Sequence, residues 1–149
     1  MSANVIDVTL TLDTSAYASG DVLAATQTVA DAFKVNGGRC VLDSLTVIDQ
    51  DDQKVALTIY VLAANVAMGT ENGAPSITDA NALNIQAVIP VATTDYLDLG
   101  GVAVANIAVG KVVKAASGTR NLYVAAVNGA GTPTYTASGM KVAFKFLQD

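Results

Sequence analysis

Short runs in which apolar and polar side chains alternate are the main feature of this 149-residue chain. Residues 6–12 read IDVTLTL, so four aliphatic side chains alternate with aspartate and threonine. Residues 141–146 read KVAFKF, which places Val142, Phe144 and Phe146 on one face and two lysines on the other. A period of two is typical of a β-strand with one buried and one exposed face. The alternation therefore predicts a sheet protein whose last strand is built into the sheet.

Clusters of Gly, Asn, Asp and Thr separate the remaining β-rich runs and favour turns. The further predicted strands are 26–35, 40–48, 55–64, 86–92, 96–99, 102–107, 111–114, 121–128 and 140–147. The polar segment 49–53 joins two of these strands and predicts a β-hairpin. Thr78 and Asp79 can cap one short helix near residues 79–85. Residues 1–149 are thus predicted to form one all-β domain, a jelly-roll-like β-sandwich with at most that helix.

Histidine and tryptophan are absent, and Cys40 is the only cysteine. Ser-His-Asp and Cys-His catalysis, His-ligated zinc or haem and a histidine pH switch all need an imidazole, so these chemistries are excluded. A single cysteine cannot form an internal disulfide, and Cys40, beside Val41 and Leu42, is expected to be a small buried hydrophobic residue. With no nucleophile or phosphate-loop motif either, we expect no enzyme and no cofactor.

The formal net charge is −5, and the eight basic residues are scattered along the chain. Binding to nucleic acid depends on clustered lysine and arginine that neutralise phosphates, so nucleic acid is not expected as a partner. The first residues lack the basic and apolar regions of a secretory signal. The apolar runs are interrupted and shorter than the about 20 residues that span a membrane. We therefore expect synthesis in the cytoplasm and no membrane contact.

Three aspartates, Asp49, Asp51 and Asp52, form the strongest polar cluster. Calcium takes about six to eight oxygen ligands, but this cluster lacks the mid-loop glycine and the distal glutamate of an EF-hand. A solvated hairpin turn is the favoured interpretation, with weak calcium binding or general acid–base chemistry as the minor alternatives. No metal site is therefore assigned.

Three of the five tyrosines, Tyr17, Tyr96 and Tyr135, lie in segments rich in Thr, Ser, Asp and Gly. An exposed tyrosine in such a loop is a good contact for a partner, and Asp21 closes the loop that contains Tyr17. These four residues are the candidate partner contacts. The alternative, that each tyrosine holds its own loop in place, is equally compatible with the sequence.

A resemblance is carried by four stretches: TLTLDTSAYASGDVL (9–23), LTVIDQDD (45–52), DYLDLGG (95–101) and VVKAASGT (112–119). In these stretches, and in its strand and loop pattern over nearly the whole length, the chain resembles small structural proteins of tailed-bacteriophage and prophage virions. Within that class the resemblance implies a capsid decoration, or cement, protein. Such a protein is a β-sandwich that binds the outside of the head and bridges subunits of the major capsid protein.

The resemblance also implies where the protein acts. It would be made in the bacterial cytoplasm and lie on the capsid surface as a homo-oligomer, with a trimer favoured because quasi-threefold positions are common attachment sites in this class. The expected shell contacts are the loops 13–21 and 65–76 and the residues before Val5, because polar, strand-poor segments lie at the surface. A mean hydropathy of +0.44 with 14% charged residues fits a chain that also buries surface against other subunits.

The residues leave two other functions open. A receptor- or glycan-binding module of a head fibre or tail would use Tyr96, Tyr135 and adjacent aspartates, although a carbohydrate-binding face usually offers a tryptophan platform. A glycosidase would need two carboxylates about 5 to 10 Å apart across a cleft, a distance that a sequence does not specify.

Overall fold

Nine strands, one short α-helix and one 3-10 turn make up the computed structural model, which describes residues 1–149. The strands are β1 (Ser2–Thr9), β2 (Val22–Val29), β3 (Arg39–Asp49), β4 (Leu57–Leu62), β5 (Ile85–Val91), β6 (Tyr96–Asp98), β7 (Ala103–Lys114), β8 (Leu122–Asn128) and β9 (Met140–Gln148). Helix α1 is Asp79–Ala82, and the 3-10 turn is Thr93–Asp95. The predicted cap of α1 is confirmed, because the Thr78 hydroxyl accepts a hydrogen bond from the Asn81 N–H at 3.2 Å.

The strands form two antiparallel sheets. One sheet has the order β1-β9-β3-β7-β6, and the other has the order β2-β8-β4-β5. If the three-residue β6 is set aside and the eight longer strands are renumbered along the chain, the orders become 1-8-3-6 and 2-7-4-5. That interleaving of eight strands in two four-stranded sheets is the jelly roll. The predicted all-β, jelly-roll-like sandwich is therefore confirmed.

A single cluster of 32 buried residues fills the space between the sheets. Strand β9 contributes Val142, Phe144 and Phe146 to it, as the alternation predicts, and the two phenylalanine rings stack with their centroids 6.1 Å apart. Burying one such apolar side chain contributes about 1.5–3 kcal/mol. The inward half of the period-two pattern is thus the main source of stability.

The predicted hairpin between β3 and β4 is wrong. Strand β3 pairs with β7 and β9 in one sheet, whereas β4 pairs with β5 and β8 in the other. The connection crosses between the sheets around the buried Asp49, whose carboxylate accepts the N–H groups of Asp51 (3.1 Å) and Lys54 (2.8 Å). A short polar connection is compatible with both routes, so local sequence does not distinguish them.

Several other strand boundaries differ from the prediction, among them those of the first strand, which is Ser2–Thr9 rather than 6–12. The second strand is Val22–Val29 rather than 26–35, because the chain turns at Asp31, which has a φ of 54°. The predicted strands 102–107 and 111–114 are one strand, β7, with a bulge opposite Leu42 and Ser44. Gly110 takes the left-handed conformation there (φ 64°), which a glycine adopts without steric strain.

The outer face of the four-stranded sheet is covered by the chain itself. Residues 63–84, between β4 and β5, fold back over it and form a second apolar cluster around Leu62, Met68 and Ala125. The Thr26 hydroxyl fastens this segment by donating a hydrogen bond to the Val66 carbonyl at 2.7 Å. We call this the covered face. No helix of the structure has the length and apolarity needed to cross a membrane.

We expect Phe144→Ala to lower the free energy of unfolding by about 3–5 kcal/mol, because it leaves a cavity at the centre of the core. Val112→Ala, on the outer side of the same sheet, is the matched control and should cost less than about 1 kcal/mol. Urea unfolding followed by circular dichroism measures both values. Equal losses in the two variants would contradict the assignment of inner and outer faces.

Candidate functional site

The outer face of the five-stranded sheet carries no covering segment, and we call it the open face. Strand register places Ala3, Leu147, Val41 and Val112 side by side, so an apolar row crosses β1, β9, β3 and β7. Val112 is 68% exposed. A depression of about 260 Å³ lies at this end of the sheet, lined in part by Met1 and by the last three residues of the row.

A second apolar row lies at the opposite end of the open face. Ile48 on β3 pairs with Val104 on β7, which in turn pairs with Leu97 on β6. Leu97 is 71% exposed. Apolar rows at both ends of one uncovered sheet face are typical of a surface that contacts another molecule, since monomers rarely leave such patches exposed to water.

The polar residues between the two rows are paired with one another. The Thr46 hydroxyl is 2.6 Å from the Asn106 side-chain oxygen and 3.2 Å from the Lys145 ammonium. Asp7 forms an ion pair with Lys141 at 3.4 Å. A partner that covered the open face would therefore meet an ion pair and a hydrogen bond that are already formed, whereas the Lys145 ammonium, bound only to a hydroxyl, would still need a charged neighbour.

The open face is not among the contacts that the sequence predicts, because polar loops are the segments that the sequence marks as surface. One signal was available: at outward positions of edge and central strands, where a solvated sheet carries polar residues, this chain has Val5, Val41, Val112 and Leu147. The signal has meaning only once the inward and outward positions of each strand are known. Alternation by itself does not say which outward face is covered.

The three aspartates of the turn are close in sequence, but their carboxylates engage different partners. Asp49 accepts two backbone N–H groups, Asp51 accepts the N–H and hydroxyl of Thr136, and Asp52 pairs with Lys54 at 3.0 Å. Asp98 also binds the Lys54 ammonium (2.9 Å), and that hydrogen bond holds the pKa of Asp98 below its usual value. The aspartates therefore act as turn anchors, and the structure contains no cluster of potential metal ligands.

The three candidate tyrosines are buried, which corrects their assignment as partner contacts. Tyr96, at 7%, is the most exposed of them, and it donates a hydrogen bond to the Val55 carbonyl at 3.2 Å. Tyr17 accepts a hydrogen bond from the Asp13 N–H (2.7 Å) and packs edge-on against Tyr135, with ring centroids 6.2 Å apart. All three rings pack into the core, Tyr17 and Tyr135 from loops and Tyr96 from the start of β6, so the glycan-binding alternative loses the tyrosine side chains on which it depended.

The other expected contacts lie in ordered structure. Asp21 is partly exposed and its carboxylate accepts the Ala18 N–H at 2.8 Å, which closes the 13–21 loop. The 65–76 segment belongs to the chain that packs on the covered face. The residues before Val5 are not a loop, because β1 begins at Ser2. Cys40 is buried as predicted, and burial raises the pKa of its thiol to about 11, so the thiolate nucleophile is scarce at neutral pH.

Comparison with known proteins finds distant structural similarity. No protein-family model matches the chain, and no curated protein matches it in sequence. A similar solved chain from infectious bursal disease virus, Gx strain, has 12% identity and a TM-score of 0.34. The similarity covers 98% of this chain, which spans only 31% of that viral chain. A Desmodium yellow mottle tymovirus chain has 10% identity and a TM-score of 0.30, with 99% of this chain and 90% of that chain covered.

A chain of the native virion of Kashmir bee virus at neutral pH has 13% identity and a TM-score of 0.30, with 97% of this chain and 67% of that chain covered. These values describe a loose similarity in the arrangement of strands. They carry no conclusion about what this protein binds, because one fold serves many functions.

Alkaline pH should destabilise the protein through its buried tyrosines. Burial raises the pKa of Tyr17 to about 12 and raises those of Tyr96 and Tyr135 as well, whereas a tyrosine in an unfolded chain titrates near about 10. Between these values the folded chain retains protons that the unfolded chain has lost. The stabilisation is therefore complete below about pH 10 and declines as the pH rises towards about 12.

Urea unfolding at a series of pH values measures this decline, with phenolate absorbance as the second readout. Tyr17→Phe should be less stable at neutral pH, because the Asp13 N–H and the Leu23 carbonyl lose the hydroxyl that they bind. Above about pH 10 its stability should fall less steeply than that of the wild type. Parallel curves for the two proteins would contradict the assignment to Tyr17.

Proposed function

We propose that this chain is a non-enzymatic virion structural protein that decorates the outer surface of a capsid and bridges subunits of the major capsid protein. Two features support the proposal: the resemblance to tailed-phage virion proteins in four stretches of sequence, and the open face. The open face carries the greater weight, because it leaves aliphatic side chains such as Val112 and Leu97 in solvent, whereas residues 63–84 cover much of the other sheet.

The open face suits attachment to a preformed shell. It is built on strands of a packed sandwich, so binding requires little ordering of the protein and loses little conformational entropy. Its aliphatic rows favour burial, while the Asp7–Lys141 pair and the Thr46 hydrogen bonds are satisfied before contact. A surface of this kind contributes stability to the shell by burying area on both partners.

The size of the open face favours an oligomer. From Ala3 to Thr9 along β1, and from β1 to β6 across the sheet, the face measures about 20 Å by 20 Å at usual strand spacings. One face of that projected size is small for a stable complex, whose partners bury about 800 Å² each. Several linked copies that bind neighbouring capsid subunits together would gain avidity. We therefore propose a cyclic homo-oligomer as the attaching unit, and a trimer in particular because quasi-threefold positions are common attachment sites in the class that the chain resembles.

Binding to expanded capsids of the encoding virus, assembled without this chain, tests the proposed function. Wild-type protein should co-sediment with such capsids, and Val112→Asp should bind at least about tenfold more weakly, because it buries an unpaired charge in the contact. Val88→Asp is the matched control, since Val88 is also an exposed valine but lies on β5 of the other sheet. Wild-type protein that ignores the capsids at micromolar concentration would contradict the function.

Analytical ultracentrifugation tests the oligomeric state. We expect a single species of about three times the 15.1 kDa chain mass at micromolar concentration. Val112→Asp should sediment as the wild type does, because the open face is assigned to the capsid rather than to contacts between copies. A monomer at all concentrations would argue against the trimer, and a monomer formed only by the variant would reassign the open face to self-association.

A further inference from the structure

The sandwich has four sheet edges, and β6, β5 and β2 each carry a feature that blocks the addition of another strand. Strand β6 has three residues, so most of β7 has no neighbouring strand on that side. The bulge at Gly110 bends this unpaired part of β7. Strand β5 contains Pro90, which has no N–H to offer to a neighbour. Short strands, bulges and prolines are the usual means by which proteins protect exposed edges.

The β2 edge is protected twice. Its pairing with β8 is interrupted by two register shifts. The segment that covers the sheet also occupies this edge, because the Val22 N–H donates to the Gly73 carbonyl (2.8 Å) and the Asn72 N–H donates to the Val22 carbonyl (2.9 Å). Another chain would have to displace these bonds before it could pair with β2.

The β1 edge has none of these protections. Strand β1 pairs with β9 over all eight residues without a register shift. Its sequence, SANVIDVT, contains no proline, glycine or lysine. Long, regular and weakly charged edges are the ones that accept a further strand.

The register shows which backbone groups of β1 are free. The Leu10 N–H donates to the Met140 carbonyl, so the even-numbered residues of β1 direct their backbone groups to β9. Ala3, Val5 and Asp7 therefore direct their N–H and C=O groups away from β9. The free stretch ends at Thr9, whose carbonyl accepts a hydrogen bond from the Gln27 side chain at 3.1 Å.

A charged groove of about 320 Å³ runs beside this edge on the side that faces away from the open face. Lys34 and Arg120 line it together with Asp31, which pairs with Arg120, so its side chains carry a net charge of +1. A strand added at β1 would point alternate side chains towards the groove and the open face. A carboxylate on the groove side would meet Lys34 and Arg120.

We propose that the free edge of β1 receives an extended segment of the capsid partner as an additional strand, with an acidic side chain of that segment in the Lys34–Arg120 groove. The inference rests on the proposed function and names the part of the partner that is bound. Backbone hydrogen bonds to Ala3, Val5 and Asp7 supply the contact, and the groove selects the charge of the incoming side chain.

The groove favours this partner over a second copy of the chain. Two copies of β1 paired antiparallel about Val5 would place Ile6 of each opposite Asn4 of the other. Asn4 lines the groove, so an aliphatic side chain would lie against Lys34 and Arg120. The residues of β1 that face the groove side of the strand include no carboxylate, so a second copy could not supply an acidic side chain to Lys34 and Arg120.

Capsid binding by three variants tests the added strand. Val5→Pro removes the Val5 N–H, which has no partner in the sheet, and should weaken binding at least about tenfold. Val5→Ala removes the side chain and keeps the N–H, so it should bind more tightly than the proline variant. Val88→Pro is the matched proline control. Val88 is 52% exposed and Val5 is 58% exposed, and both residues direct their N–H groups away from the neighbouring strand of their sheet. It should bind as the wild type does.

The possible outcomes separate the two proposals. If wild-type protein binds capsids and Val5→Pro binds equally well, the added strand is wrong and the decoration function stands. If wild-type protein does not bind, both fail. If Val5→Pro alone dissociates an oligomer in ultracentrifugation, a second copy occupies the edge and the proposed occupant is wrong. Circular dichroism and urea unfolding establish that each variant is folded, and hydrogen exchange of the wild-type edge replaces the proline variant if that variant unfolds.

Two further measurements test the chemistry of the added segment. Hydrogen exchange in the peptide that contains Ala3, Val5 and Asp7 should slow when capsids are added, because their free N–H groups gain partners. Lys34→Glu should weaken binding several-fold, whereas Lys111→Glu, on β7 and away from the groove, should not. Unchanged exchange would overturn the added strand, and unchanged binding by Lys34→Glu would overturn the acidic side chain.

Discussion

Burial of inward-facing side chains between the two sheets is the interaction on which the other features depend. Thirty-two residues share this core, and no disulfide supports it. Because alternate positions of a regular strand such as β9 face the core, the intervening positions face outward and determine how the molecule meets its surroundings. The regular alternation in β9 shows this division directly: Phe144 and Phe146 pack inward, while Lys145 and Leu147 belong to the open face.

The two outer faces have different roles because only one of them is covered. Residues 63–84 place Met68 over Leu62 and Ala125, so the chain itself buries the apolar side chains around these residues of β4 and β8, and Val88 on β5 stays exposed. The open face has comparable aliphatic content and nothing over it. The same asymmetry extends to the edges, where β2 is occupied by the covering segment and β1 is free. Open face and free edge adjoin at Val5, so one partner could engage both.

The polar loops serve the fold. Asp49 turns the chain from one sheet to the other by accepting two backbone N–H groups, and Tyr17 links the 13–21 loop to the β2 carbonyl of Leu23. Buried polar side chains are stable only when they are hydrogen-bonded, and no buried side-chain nitrogen or oxygen of this structure lacks a partner. The loop residues that the sequence offered as contacts are thus buried or hydrogen-bonded within the fold, and the uncovered aliphatic side chains lie on the sheet instead.

By itself the sequence determined the all-β class, the approximate strands, the single capped helix and the inward face of β9, because a period of two and a helix cap are local properties. It did not determine that β3 and β4 lie in different sheets, that Tyr17 and Tyr135 are buried together, or that one face is open. Those features depend on contacts between residues far apart in the chain, such as Thr26 with Val66 and Val41 with Val112. Only the tertiary structure decides them, since whether an outward side chain is covered depends on which distant segment folds over it.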